Sequence, residues 1–243
     1  MIDVRPSRRM RDLGVVQHGA GIPAEPTRAF DLPAERDEAE RVMDELFSAM
    51  ERIGQVHPFV KGMGIAAPQI GLARAAAVVQ PPGDAPAIIL LNPRITTRSE
   101  EMDEHYEGCL SFFDVRGLVP RPLKITVETT ALTGETVTTV YDRGLARLIH
   151  HEIDHLDGLL YTARMRTGVD PIPVEEYRQT GRAWVYEGAG RQNLPYRTAL
   201  QWPASSVDNP GYLSARQVMD AGVAAVLGAT VGVVGALGTA VLT

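Results

Sequence analysis

Asp142 to Leu156 reads DRGLARLIHHEIDHL and contains His151, Glu152 and His155 in HExxH order. Leu145, Leu148, Ile149, Ile153 and Leu156 recur at three- and four-residue intervals, which predicts an amphipathic helix with one buried stripe. On such a helix His151 and His155 stand one turn apart. Their imidazoles can converge on one metal ion, while Glu152 projects close enough to handle a proton of water beside it. Asp142 is placed to cap the helix at its start and Gly158 to stop it. The competing reading is a helix that carries polar residues on an exposed face. Two imidazoles also leave a metal site short of a third ligand.

The 243 residues suffice for a full hydrophobic core, and the formal charge of -6 argues against an extended nucleic-acid-binding surface; no direct nucleic-acid motif occurs. Arg5, Arg8, Arg9 and Arg11 make a local basic cluster, read as a solvated N-terminus, and no apolar run comes after it as a secretory signal requires. Cys109 is the only cysteine, so an internal disulfide is excluded. Packing, a reactive thiol and a metal ligand remain open for it.

Upstream of the HExxH segment, Leu123 to Thr130 and Thr136 to Tyr141 alternate polar and apolar side chains around Thr133-Gly134, a hairpin that delivers the chain into the helix. Ala75 to Val79 and Ala87 to Leu91 read as strands, the second continuing past Pro93 toward Thr97. Glu100, Glu101, Asp103 and Glu104 read as an acidic surface loop leading into Glu107-Gly108-Cys109-Leu110-Ser111. Gly62 to Gln69 reads as a tight turn feeding a buried segment, with Gly62 and Gly64 permitting close backbone approach. From Ala34 to about Gly54, Val42, Met43, Leu46, Phe47, Met50 and Ile53 share one helical face. Residues 1 to about 33, marked by Pro6, Pro23, Pro26 and Pro33, read as irregular. The fold class expected is α+β, with antiparallel β-sheets packed around a central HExxH helix.

Beyond Leu160 the periodicity fades. Residues 166–216 read as an irregular extension with one short helix near Val174 to Arg178, and residues 217–243 as an apolar tail rich in Gly, Ala and Val. Residues 221–242 carry no charge and are long enough to span a bilayer, but their glycines make insertion marginal. Gly228 and Gly232 stand at GxxxG spacing. A weak membrane anchor, a tail packed on a partner and a disordered end are the three readings.

Taken together, Gly62 to Gln69, Glu107 to Ser111 and His151 to His155 resemble the ordered motifs of the peptide deformylases, metal hydrolases that remove the N-formyl group from nascent polypeptides. The resemblance covers about residues 10 to 165 and includes Val115 to Pro122, with residues 1–165 as the hydrolase domain. It implies that Cys109 is the third metal ligand beside His151 and His155. One divalent metal per chain is then expected, Fe(II) by family precedent, with Zn(II) the alternative, since thiolate and imidazole suit both. The resemblance also implies Glu152 as general base and then general acid, and the Gln69 amide with the Leu110 backbone N–H as donors to the developing oxyanion. Gly64 and Gly108 would let the substrate backbone approach, Met63 and Leu148 would line the pocket for the first methionine, and Arg116 would contact the substrate backbone. Asp154 is expected to pair with Arg121 beneath the site. His150 stands where the family usually has glutamine, as a donor behind the metal ligands or an exposed imidazole. His18, His57 and His105 read as ordinary polar residues.

The expected substrate is a formyl-Met peptide, with the ribosome as a partner that no sequence feature establishes. The expected location is the cytoplasm, with weak membrane association through residues 221–242 if the tail inserts. Two other functions compete. An HExxH-type metallopeptidase usually draws its third ligand from downstream, whereas Cys109 lies upstream. A catalytically idle scaffold with a membrane or assembly tail sits poorly with Gln69, Cys109, Glu152 and both histidines being present together.

Overall fold

The computed structural model describes residues 5–19, 25–57, 59, 61–83 and 85–181. The apolar tail, its GxxxG pair and most of the extension lie outside the described residues. Among the described residues no helix is long and apolar enough to cross a membrane.

The chain begins with a short helix α1 (Pro6–Asp12), where the sequence predicts irregular structure. Pro6 stands in its first turn, Met10 is buried, and the Ser7 N–H and hydroxyl donate to the two Asp114 carboxylate oxygens at 2.9 and 2.5 Å. One buried side chain in seven residues leaves no periodicity to read. Helix α2 (Arg36–Val56) comes next, longer at its C-terminal end than its apolar stripe suggests.

Strands β1 (Met63–Ala66), β2 (Ala76–Gln80) and β3 (Ile88–Leu91) form an antiparallel sheet buried on both faces. Alternation along the strands explains this. Ile65, Ala76, Val78 and Leu91 join the α2 core, while Ala66, Ala77, Val79 and Leu90 point to the other side. A 3-10 turn, Ala67–Ile70, continues from β1.

What reads as one strand across Pro93 is two. Asn92 takes a left-handed conformation with φ of 48°, and its side-chain amide clamps both backbone groups of Phe30. The chain there leaves the first sheet and enters β4 (Arg94–Arg98) of a second. The acidic stretch is also no loop beyond its first residues, because Asp103 and Glu104 belong to β5 (Met102–Cys109). β5 runs antiparallel to β6 (Phe112–Pro122), and their register slips between Glu107 and Cys109. The hairpin β7 (Lys124–Thr130) and β8 (Thr136–Asp142) turns at Gly134 and completes the β4-β7-β8 sheet.

Helix α3 (Arg143–Leu156) carries the HExxH residues. Ile149, Ile153 and Leu156 pack with Val79, Leu90, Ile125 and Val127, so the helix lies against the second face of the first sheet and against β7. Asp142 stands at the N-cap position but makes no side-chain capping bond. At the other end Gly158, with φ of 76°, lets its own N–H reach the His155 carbonyl and the Leu159 N–H reach the Asp154 carbonyl, at 3.2 and 2.7 Å. After a second 3-10 turn, Tyr161–Arg164, a two-residue strand β9 (Ile172–Pro173) pairs with β6 and leads into α4 (Val174–Gln179). The architecture is α+β, built from small antiparallel sheets and helices.

Candidate metal centre and active-site cleft

Cys109, His151 and His155 are buried, and one ligand atom from each lies within 4.8 Å of the others. Helix geometry brings the two imidazoles together, with ring centroids 5.0 Å apart. The thiol arrives from the bulged end of β5, and its Sγ lies 3.2 Å from His155 Nε2. A bulge adds a residue to one strand and re-aims the side chains beyond it, which turns Cys109 toward α3.

A carboxylate fixes the other histidine. His151 Nδ1 donates to Glu107 Oε2 at 2.9 Å, leaving Nε2 for the side where Cys109 lies. Burial opposes ionisation of the Cys109 thiol, but the His155 charge and hydrogen bonds with His151 and His155 hold it well below its ordinary value. Burial likewise opposes the His151 cation, yet Cys109 and Glu107 hold its pKa well above normal. The trio is therefore a candidate site whose donors, a thiolate and two imidazoles, suit a borderline divalent ion.

Beneath this centre Glu107 joins two arginines. Arg121 donates to both of its carboxylate oxygens at 2.9 Å, and Arg147 Nη1 donates to Oε1 at 2.6 Å. Arg121 reaches Asp154 at 2.6 Å, as the sequence predicts, and Arg164 holds the other Asp154 oxygen at 2.8 Å. Burial pushes the Glu107 carboxyl up, but Arg121 and His151 more than offset this and leave it far below the usual range. Sequence reasoning missed the roles of Glu107 and Arg147. His150, by contrast, is neither exposed nor a donor to His151 or His155: it is buried, its ring nitrogens have no hydrogen-bond partner, and burial lowers its pKa to about 4.

Glu152 faces the cleft from the same helix. It is buried, and burial pushes its pKa up to about 7 against the pull of His151 and His155. Its Oε2 has no hydrogen-bond partner. Gly64 on β1 is what makes room, because a Cβ there would overlap the Glu152 carboxylate. Gln69 sits on the 3-10 turn. The Ala66 N–H donates to its Oε1 at 2.9 Å, which aims Nε2 toward Ser111 Oγ and Cys109 Sγ at 3.3 and 3.5 Å. Leu110, the next residue after Cys109, is buried and its carbonyl accepts from Gln17 at 3.2 Å.

Cys109, His151, Glu152 and Gln69 line one cleft of about 340 Å³. Met63, Gly64, Gly108, Leu110, Arg116 and Leu148 all border it, so every predicted substrate-contacting residue reaches the same space. Arg116 lies over Gly108, where a Cβ would meet the guanidinium carbon at 2.7 Å. His57 also lines the cleft, its ring 4.6 Å from that of Phe59 and edge-on to Phe113 at 5.2 Å. The sequence predicts only an ordinary polar residue there. Tyr106 and Tyr177 line the cleft as well, and neither carries a motif that could have marked it.

The family described as polypeptide deformylase matches residues 15–169. A peptide deformylase of Acidobacterium capsulatum is 34% identical over 166 residues, covering 66% of this chain and 89% of that protein. Peptide deformylase 1 of Bacillus subtilis is 36% identical over 154 residues, covering 62% and 88%. A crystal structure of the class I type b peptide deformylase from Acinetobacter baumannii, bound to Met-Ala-Ser, superposes with a TM-score of 0.53 at 32% identity, covering 62% of this chain and 97% of that one. The match spans the β5–β6 hairpin, α3 and the first sheet that together enclose the cleft, and the chain accordingly belongs to the peptide deformylase family.

Proposed function

We propose that Cys109, His151 and His155 hold one divalent metal ion, Fe(II) in preference to Zn(II), and that Glu152 moves the proton during hydrolysis. The chain, as a peptide deformylase, is a metal-dependent hydrolase that removes the N-formyl group from nascent peptides. One observation carries the residue assignment: three buried ligand atoms lie within 4.8 Å of one another, beside a buried carboxylate oxygen without a partner. When bound, the metal would supply Lewis acidity, which lowers the pKa of water from about 15.7 toward about 7.

The protein supplies the rest. Glu152, with a pKa raised to about 7, can take a proton at Oε2 from the attacking water and return it to the departing amine. Gln69 Nε2 and the Leu110 N–H meet the charge that grows on the formyl oxygen. Because Oε1 of Gln69 is already held by Ala66, this donor is oriented before substrate arrives. Met63 and Leu148 receive the methionine side chain, and Gly64 and Gly108 let the peptide backbone run close to the walls of the cleft. The enzyme works in the cytoplasm near the ribosome, where formyl-Met peptides emerge. The tail over residues 221–242 adds weak membrane association, tested by fractionation of the chain with and without residues 217–243.

The decisive experiment is anaerobic purification with metal analysis, then formate release from formyl-Met-Ala-Ser. One equivalent of iron per chain and steady formate release are expected. Bound metal without formate release would overturn the hydrolase assignment of this site in favour of an idle scaffold.

A further inference from the structure

The family match ends at residue 169, yet the cleft does not. Helix α4, beyond that point, lies against β6 and contributes Tyr177 to the cleft wall. Tyr177 packs on Tyr106 of β5 with ring centroids 5.2 Å apart. Behind this wall is a second cavity of about 220 Å³, bordered by Arg9 of α1, Arg116 of β6, Arg178 of α4, Val174, His57 and Phe113. His57, Phe113 and Arg116 border both cavities, so the second adjoins the first across these side chains.

Its charge is one-sided. Among the described residues, three arginines border the second cavity and no carboxylate does. The acidic residues of the same elements are directed elsewhere: Asp114 of β6 accepts from Ser7, and Asp12 of α1 and Glu175 and Glu176 of α4 do not line the space. Neither Arg9 nor Arg178 has a salt-bridge partner among the described residues. Arg116 Nη1 donates to the carbonyls of Phe113 and Val115 at 2.9 and 2.7 Å, which fixes the guanidinium and leaves Nε and Nη2 without a protein acceptor. In a chain of formal charge -6, three guanidinium groups around one hollow, Arg9 and Arg178 exposed and Arg116 half-buried, give it a local positive field that favours an anion.

We infer that α1, β6 and α4 together form a cationic subsite, adjoining the active-site cleft at Arg116, that selects formyl-Met peptides carrying an acidic side chain at their second or third residue. The inference rests on the deformylase reading of the cleft. Arg116 stacks on Gly108, the neighbour of Cys109, so the subsite begins one residue's reach from the centre where the formyl group is cut. An extended peptide advances about 3.3–3.6 Å per residue, which brings the second and third side chains to Arg116 and beyond. A carboxylate can then accept from the free guanidinium edge of Arg116, with Arg9 and Arg178 adding field.

The test compares kcat/KM for four C-terminally amidated peptides: formyl-Met-Ala-Ser, formyl-Met-Asp-Ser, formyl-Met-Ala-Asp and formyl-Met-Ala-Lys, using the full chain loaded with metal. At low salt at least one aspartyl peptide should exceed the lysyl peptide by about 5- to 10-fold, chiefly through KM, and the ratio should fall toward one near 0.5 M salt as exposed charges are screened. Arg178→Glu should bring the aspartyl-to-lysyl ratio below that of the wild type, and Arg9→Ala should lower it less. Calorimetric binding of the deformylated product Met-Ala-Asp amide should weaken in the same order. Equal rates on all four peptides with normal formate release would overturn the subsite and leave the deformylase reading intact. An acidic preference that survives Arg178→Glu would also overturn it. No formate from any peptide would overturn both.

Discussion

His151 Nδ1 lies 2.9 Å from Glu107 Oε2, and Glu107 stands two residues before Cys109 on the same strand. One strand therefore delivers a candidate ligand and the group that orients another. Glu107 also receives Arg121 and Arg147, so orientation of the metal centre and neutrality of the buried charges beneath it depend on the same carboxylate.

Glu107→Gln tests this coupling. The amide keeps the size but cannot hold the His151 tautomer and two guanidinium groups as an anion does. Metal affinity should fall about 10- to 100-fold, as for other carboxylates behind a metal histidine. Stability should drop by about 3–5 kcal/mol from leaving buried arginines short of charge. Competition with a chromophoric chelator measures the first and urea unfolding the second; a variant that loses stability but keeps full metal affinity would separate the two roles.

Glu152→Ala should keep metal and lose hydrolysis. The side chain is no ligand in this arrangement, since Cys109, His151 and His155 converge without it. Removing a proton-transfer group costs about 100- to 10,000-fold in rate. Metal content by elemental analysis beside formate release decides the matter, and full activity in the variant would refute the assignment.

The features legible in the sequence are those with a local period. Leu145 to Leu156 mark α3 because one apolar stripe packs on the first sheet and on β7, and the i, i+4 histidines come with the same helix. Cys109 is placed by likeness of motif, since nothing local joins it to a helix 40 residues on. Glu107 is hidden for the same reason. Its partners Arg121, Arg147 and His151 come from β6 and α3, and charged residues in a run with Glu100 to Glu104 look like solvated surface until the strand pairing buries them. α1 and α4 are too short to show periodicity, and each is held by one buried side chain, Met10 or Val174, and a contact with β6.

Gly64→Ala probes the room around Glu152. A Cβ at this position falls on the carboxylate group itself, closer than atoms can approach. Because β1 is buried in a paired sheet, the side chain must move rather than the strand. Displacing a proton-transfer group by about 1 Å can cost about 100-fold, so kcat should fall by that order while metal content holds. Retention of wild-type kcat would show that Glu152 has slack the packing does not suggest.

Acid should unfold the metal-free protein through Glu107 and Asp154. Burial opposes both anions, but arginine partners hold both pKa values below the unfolded carboxyl range of about 4. A depressed carboxyl stabilises the fold above its unfolded pKa, and that contribution disappears as pH falls through the folded value. In the window from about pH 4 to pH 2, His151 is protonated in both folded and unfolded chains and does not contribute. Glu152, pushed up to about 7, is then neutral in both as well, and His150, lowered to about 4 by burial, has its destabilising effect mainly between about pH 6.5 and 4, above this window. The urea midpoint should therefore fall steeply below about pH 4 in wild-type protein held in chelator. In Arg121→Met the folded pKa values of both carboxyls move back toward normal, so the variant should start less stable and lose less over the same window. Parallel curves for the two proteins would mean that acid acts elsewhere.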